Sequence, residues 1–369
     1  MLLVRRICVF ALLAPLALAV QGWGAELSAG DAVKIIADRL EASQVHDGPQ
    51  PGLWSEEEQF MGPTTAGMVC AYEWMQNISY YTSAESAASY VLYLADVQGN
   101  LLGDEAYGLV RMSQASKSEE PWTTPLWVNV VVDFYESLRD PAYEGSTQAY
   151  IRYFDGMDPS TSVFYLAHHA VAANYIGDRD KDLWRTALIT WLSYVDDQSH
   201  FPVMALGVAT WALAETGNLD DTPVAADGGS LWWEGVKLSD LPLLLLSHQT
   251  PQEEPYGGSF YWRFDHTSGG SEDPAAGYTE DAVYGILGLV AASLQADVPD
   301  GGMTEAIRWA QAALLQGVDT EGRVFEHLAQ QGETRHVFEG EMLQALWSVQ
   351  QYLDASSESE VVGAVALTE

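Results

Sequence analysis

The chain has 369 residues, of which 16 are lysine or arginine and 52 are aspartate or glutamate, so its formal net charge is −36. This acid excess excludes nucleic acids and anionic membrane surfaces as favoured partners, because both would be repelled. Apolar residues make up 48% of the sequence, enough to bury a sizeable core. A neutral polysaccharide is compatible with such a chain, whereas an acidic one would need a local basic pocket.

The first 24 residues have the pattern of a secretory signal peptide. Two arginines precede an apolar run over 7–20, which contains the small-x-small cleavage pattern Ala-Leu-Ala at 17–19. We expect cleavage after a residue between 19 and 24, and export to the periplasm or the medium. Cleavage would remove Cys8 and leave Cys70 without a partner for an internal disulfide. An uncleaved anchor is the alternative, although the run is short for a bilayer span.

Two kinds of predicted helix alternate along the rest of the chain. One kind has an apolar stripe on a single face, and the other is apolar all round, which requires protein on every side. In chain order, the pairs of one-sided and fully apolar segments are 31–43 with 62–75, 83–95 with 103–115, 125–138 with 158–177, 181–195 with 201–216, 237–248 with 277–293, and 303–317 with 338–353.

The fully apolar segments are unevenly spaced, which disfavours a regular linear solenoid. Closing six pairs into a ring explains why one helix of each pair is apolar on every side. The sequence therefore predicts an all-α protein with a single (α/α)6 toroid domain over 25–354, built from six inner and six outer helices. A short hairpin around 259–264 is the one predicted departure from helix. The segment 355–369 lacks helical periodicity and is predicted to be a mobile tail.

This pattern resembles the α/α-toroid superfamily, which includes secreted glycoside hydrolases, polysaccharide lyases, terpenoid cyclases and protein prenyltransferases. The resemblance covers most of the chain and concerns architecture, which does not fix function. It is also similar to exported bacterial toroid proteins with no established activity. The sequence contains neither an Asp-x-Asp-Asp motif nor a run of Gln-Trp repeats, which disfavours a terpenoid cyclase.

The inner helices of such a ring run parallel, so their first turns meet at one end, which we call the mouth. The candidate catalytic residues at these helix starts are Asp104, Glu105, Glu280 and Asp281, and Tyr278 and Glu341 are candidates for substrate binding. Capping of a helix is the simpler role for any one of these acids, but four acids converging on one mouth favour a site. Asp196 and Asp197 follow an outer helix and are expected at the opposite end.

A long loop over 249–277 contains an aromatic packet between two glycine pairs, and loops of this length are often functional. Tyr261, Trp262 and Arg263 are predicted to bind substrate by stacking and hydrogen bonding. Asp265 and His266 are predicted to transfer protons. The alternative is a packed plug in which Trp262 covers the core and Arg263 pairs with Asp265.

These features predict an exported protein that cleaves a polysaccharide or oligosaccharide at an acid-rich mouth. Hydrolysis needs two carboxylates, whereas β-elimination needs a base and a group that neutralises a substrate carboxylate. A non-catalytic scaffold for a glycan or a partner, and a cyclase-like toroid for an apolar ligand, are the alternatives. No cofactor is expected. No metal is expected either, because His168 and His169 point in different directions and read as hydrogen-bonded core residues.

Overall fold

The computed structural model of the chain describes residues 27–48, 50–54, 60–119, 124–139, 146–225, 229–270, 273–295 and 302–366. The predicted signal peptide lies outside the described residues, so its cleavage stays a prediction. Within the described residues, no helix is both long enough and apolar enough to cross a membrane.

The described residues form thirteen α-helices and one small sheet. The inner helices are α2 (Met61–Met75), α4 (Gly103–Glu119), α7 (Pro159–Ile176), α9 (Pro202–Glu215), α11 (Thr279–Ser293) and α13 (His336–Ala366). The outer helices are α1 (Ala29–Ser43), α3 (Ile78–Gln98), α5 (Thr124–Ser137), α8 (Lys181–Leu192), α10 (Leu241–Ser247) and α12 (Met303–Gln316). The short helix α6 (Thr147–Ile151) and the antiparallel strands β1 (Phe325–His327) and β2 (Gln331–Thr334) complete the fold.

The inner helices form a closed ring in which each packs against two others. Going round, α2 packs on α4, α4 on α7, α7 on α9, α9 on α11, α11 on α13, and α13 returns to α2. The outer helices alternate with them along the chain and surround the ring. The predicted (α/α)6 toroid is therefore confirmed.

Local sequence signals set the ends of α7 and the start of α1. Asp158 caps α7 by accepting a hydrogen bond from the Ser160 amide at 3.0 Å, and Pro159 occupies the first turn. The helix ends at Gly177, whose φ of 69° suits a glycine C-cap. Ser28 caps α1 in the same way, through the Asp31 amide at 3.1 Å.

Glycines allow the inner helices to touch backbone to backbone. A Cβ atom on Gly67 of α2 would lie 2.2 Å from the carbonyl oxygen of Gly340 on α13. A Cβ atom on Gly207 of α9 would lie 2.6 Å from backbone atoms of Tyr284 on α11. These contacts draw the ring tight, so side chains that face its axis fill the interior.

Two details differ from the sequence expectation. Residues 259–264 do not pair with one another as a hairpin. Phe260 bridges to Gln249 and Tyr261 bridges to Ala276, both outside the segment. The last helix continues to Ala366, through most of the segment predicted as a tail, because nothing in its sequence breaks a helix. The mobility of that segment stays a prediction.

Candidate active site

The first turns of the inner helices bring most of the candidate acids to the mouth, but bury them. Asp104 is 0% exposed, and Glu105, Asp281 and Glu341 are 1–2% exposed. Glu280 is half-buried. Buried carboxyl groups resist ionisation because the charged form loses its hydration. Glu280 is therefore the acid of the inner helices that a substrate reaches most directly.

Three of these acids raise the pKa of one tyrosine, Tyr284. The Tyr284 hydroxyl of α11 donates a hydrogen bond to Glu341 Oε1 of α13 at 2.8 Å. Burial raises the pKa of Tyr284 well above its usual value, and the charges of Glu341, Glu280 and Asp104 raise it further. Asp104 lies on α4, across the ring from α11. Acids from three inner helices thus face one axial region.

Asp104 and Glu105 are neighbours with different roles. Glu105 accepts a hydrogen bond from the Leu102 amide at 2.7 Å, so it caps the helix that it belongs to. Both oxygens of Asp104 are buried, and neither accepts a well-formed hydrogen bond from the described residues. Burial raises the pKa of Glu105 to about 7 and that of Asp104 well above its usual value, where the Glu105 charge adds to the effect.

Glu280 and Asp281 lie in the first turn of α11, and they too differ in burial, since Glu280 is half-buried and Asp281 is buried. Burial raises the pKa of Glu280 to about 7; the Glu326 charge adds to this rise, and Arg335 opposes it. Burial, followed by the charge of Glu280, raises the pKa of Asp281. A glutamate that is half-buried and protonated near neutral pH is suited to general acid catalysis.

The aromatic loop packs beside the start of α11, as both a plug and a surface. Phe260 and Phe264 are 0% and 4% exposed and belong to the core. Trp262 is half-buried between the Arg263 guanidinium, 4.2 Å from a ring centroid, and Tyr278, at 5.9 Å between centroids. The plug alternative expected Trp262 to cover the core. Phe260 and Phe264 cover it instead, and part of the Trp262 surface stays exposed.

Among the described residues of the loop, no carboxylate forms a salt bridge with Arg263. Arg263 donates to the backbone oxygen of Asp197, and the Asp197 side chain accepts the Phe264 amide at 2.8 Å. Asp197 was expected at the end opposite the mouth, and that expectation is wrong. The segment from the end of an outer helix to the start of an inner one must lie at the mouth, and Asp197 fastens the loop there.

Asp265 and His266 are exposed. Asp265 accepts hydrogen bonds from the Thr267 amide and hydroxyl at 3.0 and 2.6 Å, which lower its pKa. His266 Nε2 lies 2.9 Å from His248 Nδ1, and its ring stacks on Tyr261 at 4.1 Å. Among the described residues, neither Asp265 nor His266 is hydrogen-bonded to an acid of the inner helices.

Tyr261 also has a local partner, since its hydroxyl donates to Glu254 Oε2 at 2.6 Å. Tyr278, at the N-cap of α11, lies edge-on to His327 with 5.3 Å between centroids. Tyr278 thus connects the loop to the β1–β2 hairpin. The candidate binding residues line one side of the mouth, beside Glu280.

Below the acids, an aromatic layer of Tyr107, Phe164, His168, Trp211 and Tyr284 fills the ring. His168 contacts Phe164 at 4.6 Å, Trp211 at 5.1 Å and Tyr107 at 5.4 Å between centroids. His168 Nδ1 lies 2.8 Å from the Phe164 carbonyl oxygen, and burial lowers the pKa of His168 to about 4. The core role predicted for His168 is confirmed. The layer separates the mouth from the opposite end of the ring.

The sequence analysis missed Tyr284 and the partner of Glu339 at the mouth. Tyr284 follows Glu280 by four positions, a spacing that places both on one helical face and offered a signal. Glu339, 0% exposed, accepts a hydrogen bond from Arg39 Nε at 2.7 Å, a pairing across 300 residues with no signal in the sequence. Among the described residues, no group of three or more His, Cys, Asp or Glu side chains is arranged to hold a metal ion.

Several solved structures share this fold. The unsaturated glucuronyl hydrolase of Bacillus sp. GL1 superposes with a TM-score of 0.56 at 14% identity, covering 86% of this chain and 94% of that one. An α-1,6-mannanase of Salegentibacter sp. superposes with a TM-score of 0.53 at 12% identity, covering 88% of this chain and 100% of that one. A possible member of the GH105 family from Salmonella enterica superposes with a TM-score of 0.55 at 10% identity, covering 95% of this chain and 100% of that one. The chain is thus an α/α toroid.

At these identities the likeness establishes the fold alone. No protein-family model matches the sequence, and no curated protein matches it.

Proposed function

We propose that the protein is an exported carbohydrate-active enzyme that hydrolyses a neutral polysaccharide or oligosaccharide at the mouth of the toroid. The observation that carries this proposal is Glu280, a half-buried glutamate with a pKa raised to about 7, beside the partly open aromatic surface of Trp262 and Tyr278. Aromatic faces stack on sugar rings, and a protonated carboxyl can donate to a glycosidic oxygen. The names of two solved neighbours, a glucuronyl hydrolase and a mannanase, support a carbohydrate substrate in general.

Glu280 is the proposed general acid. Asp265, an exposed aspartate whose pKa is lowered by Thr267, is the proposed second carboxylate, carried by the loop. Environments that push the pKa values of two carboxyl groups apart suit an acid and a base, respectively. Asp104, Asp281 and Glu341 are assigned to the electrostatics beneath Glu280, since all three are buried.

Hydrolysis is favoured over β-elimination by the state of the possible bases. Burial raises the pKa of Tyr284 well above its usual value, which disfavours a tyrosinate. Burial also lowers the pKa of His248 and of His336 to about 4, which makes both weak bases. Arg263, the candidate for neutralising a substrate carboxylate, already donates to a backbone oxygen.

A non-catalytic glycan-binding scaffold is the second candidate, and it has its own support. Four of the candidate acids are at most 2% exposed, and Phe260 and Phe264 of the loop are buried as a plug would be. The third candidate, an apolar ligand within the ring, is disfavoured because the aromatic layer occupies that space.

The experiment is a screen of the purified chain on a panel of neutral and acidic polysaccharides. Hydrolysis releases reducing ends, whereas elimination also gives the ultraviolet absorbance of an unsaturated product. Once a substrate is found, Glu280→Gln should abolish turnover and retain binding, because it keeps the shape and removes the proton. Glu253→Gln, an exposed change on the same loop, is the matched control.

Full turnover by Glu280→Gln would refute its assignment as the acid. Binding without turnover of any substrate in the panel by the unaltered chain would favour the scaffold.

A further inference from the structure

The end of the ring opposite the mouth contains a cavity, which we call the axial pocket. It measures about 200 Å³, and every inner helix contributes to its wall. One residue from each helix, in ring order, is Cys70, Arg111, Asn174, Trp211, Leu287 and Trp347. Tyr107 and Trp211 of the aromatic layer form its floor, edge to face at 5.1 Å, so the mouth and the axial pocket do not share a chamber.

The charge in the axial pocket is balanced by built-in pairs. Arg111 Nη2 donates to Glu73 Oε2 at 2.7 Å and lies 3.6 Å from Cys70 Sγ, while Nη1 donates to Gln114. The guanidinium also lies 5.0 Å from the Trp347 ring centroid. Arg111 is therefore fixed by its own neighbours and is not a free cation awaiting an anion.

The remaining wall combines flat aromatic faces with neutral polar groups. Asn174, Gln344 and Ser348 supply amide and hydroxyl groups, and the Gln344 amide is held by a 3.0 Å hydrogen bond to the Pro63 carbonyl oxygen. Glu215 marks the opening, where its side chain is exposed. A few fixed polar groups on an aromatic wall are what small-molecule sites commonly present.

We propose that the axial pocket binds one uncharged sugar ring. An anion is disfavoured by Glu215 at the opening and by the net charge of −36. An apolar ligand would remove water from the Asn174 amide without offering it a hydrogen bond. A pyranose ring offers an apolar face for Trp211 and hydroxyl groups for the amides, and the cavity is smaller than the roughly 300–1,000 Å³ of drug-sized sites. The proposal stands on this wall alone and does not require catalysis at the mouth.

The test is a titration of the purified chain with neutral methyl glycosides, followed by saturation-transfer difference NMR and tryptophan fluorescence. Sodium glucuronate is the charged counter-probe. Ser348→Leu fills the cavity and Asn174→Leu removes an amide, so each should weaken binding of the neutral glycoside about tenfold or more. Melting temperatures identify a variant that fails to fold, in which case the other variant decides. Glu253→Gln, an exposed change outside the axial pocket, should leave the measured affinity for the glycoside unchanged.

Three results would overturn the proposal. These are no binding by any neutral glycoside, binding that survives both leucine variants, and tighter binding of glucuronate than of the glycosides. Loss of binding in Trp262→Ala alone, with both leucine variants unaffected, would place the sugar at the mouth instead. None of these results depends on turnover, so failure here is distinguishable from failure of the proposed hydrolase.

Discussion

The raised pKa of Glu105, one of the buried acids of the mouth, should be detectable as a pH dependence of the free energy of unfolding. Glu105 is 2% exposed, and burial raises its pKa from 4.5 to about 7. A group whose pKa is raised in the folded state stabilises the fold below its unfolded pKa, and this contribution is lost as the pH rises through the folded pKa. The stability of the chain should therefore fall between about pH 4.5 and 7 as Glu105 ionises.

Glu105→Gln removes this titration and keeps the cap, because the amide oxygen of glutamine still accepts the hydrogen bond from the Leu102 amide. The difference between about 7 and 4.5 is worth on the order of 3 kcal/mol in the free energy of unfolding. The variant should match the unaltered chain near pH 4.5 and become more stable, by up to about 3 kcal/mol, at pH 8.

The measurement is urea unfolding at several pH values, followed by circular dichroism. Glu253→Gln removes a charge from an exposed position and controls for the change in net charge. If Glu105→Gln and Glu253→Gln differ from the unaltered chain by the same amount at every pH, Glu105 is not a strained buried acid. The electrostatic description of the mouth would then be wrong.

The remaining predictions concern packing, the single cysteine and the loop. Gly67→Ala should cost about 1–3 kcal/mol in unfolding free energy, because its Cβ would clash with Gly340; an unchanged melting temperature would contradict the tight ring. Cys70 is 2% exposed, so a reductant should leave the melting temperature unchanged, and a large shift would indicate a missed intermolecular disulfide. Trp262→Ala should cost less than the roughly 3–5 kcal/mol of a buried tryptophan while weakening substrate retention; strong destabilisation with intact retention would make the loop a plug.

The toroid could be predicted from the sequence because the signal repeats six times along the chain. Each inner helix is apolar all round and each outer helix has one apolar stripe, so errors at any boundary do not change the architecture. Helix α10 shows the limit, since 237–248 was expected and Leu241–Ser247 is observed, with a 3₁₀ turn over Leu238–Asp240 before it. The leucine-rich run does not fix burial residue by residue either, since Leu243 is 48% exposed.

The candidate site could be predicted only in part, because sequence position gives the end of the ring but not the direction of a side chain. Glu280 and Asp281 are adjacent, yet the first is half-buried and the second is 2% exposed. The axial pocket gave no signal, since its polar residues are scattered over several helices as isolated interruptions. Asp197 was misplaced because the direction of the outer helices was not carried through to the segments that follow them.

Asp104 differs from the other buried acids of the mouth in having no evident structural role. Glu105 has a structural reason for its position, since it caps α4, and Glu341 has one in its hydrogen bond to Tyr284. Asp104 is fully buried on the same turn as Glu105, and no described residue gives its oxygens a well-formed hydrogen bond. Burying such a group costs free energy, which the backbone amides of Asp104 and Glu105 offset only in part. Other inner helices begin without this cost, as α9 does with Pro202 in its first turn. A buried acid that lies opposite other acids across a ring is typical of a site in which charge serves binding or chemistry, and Asp104 therefore supports the proposed site at the mouth.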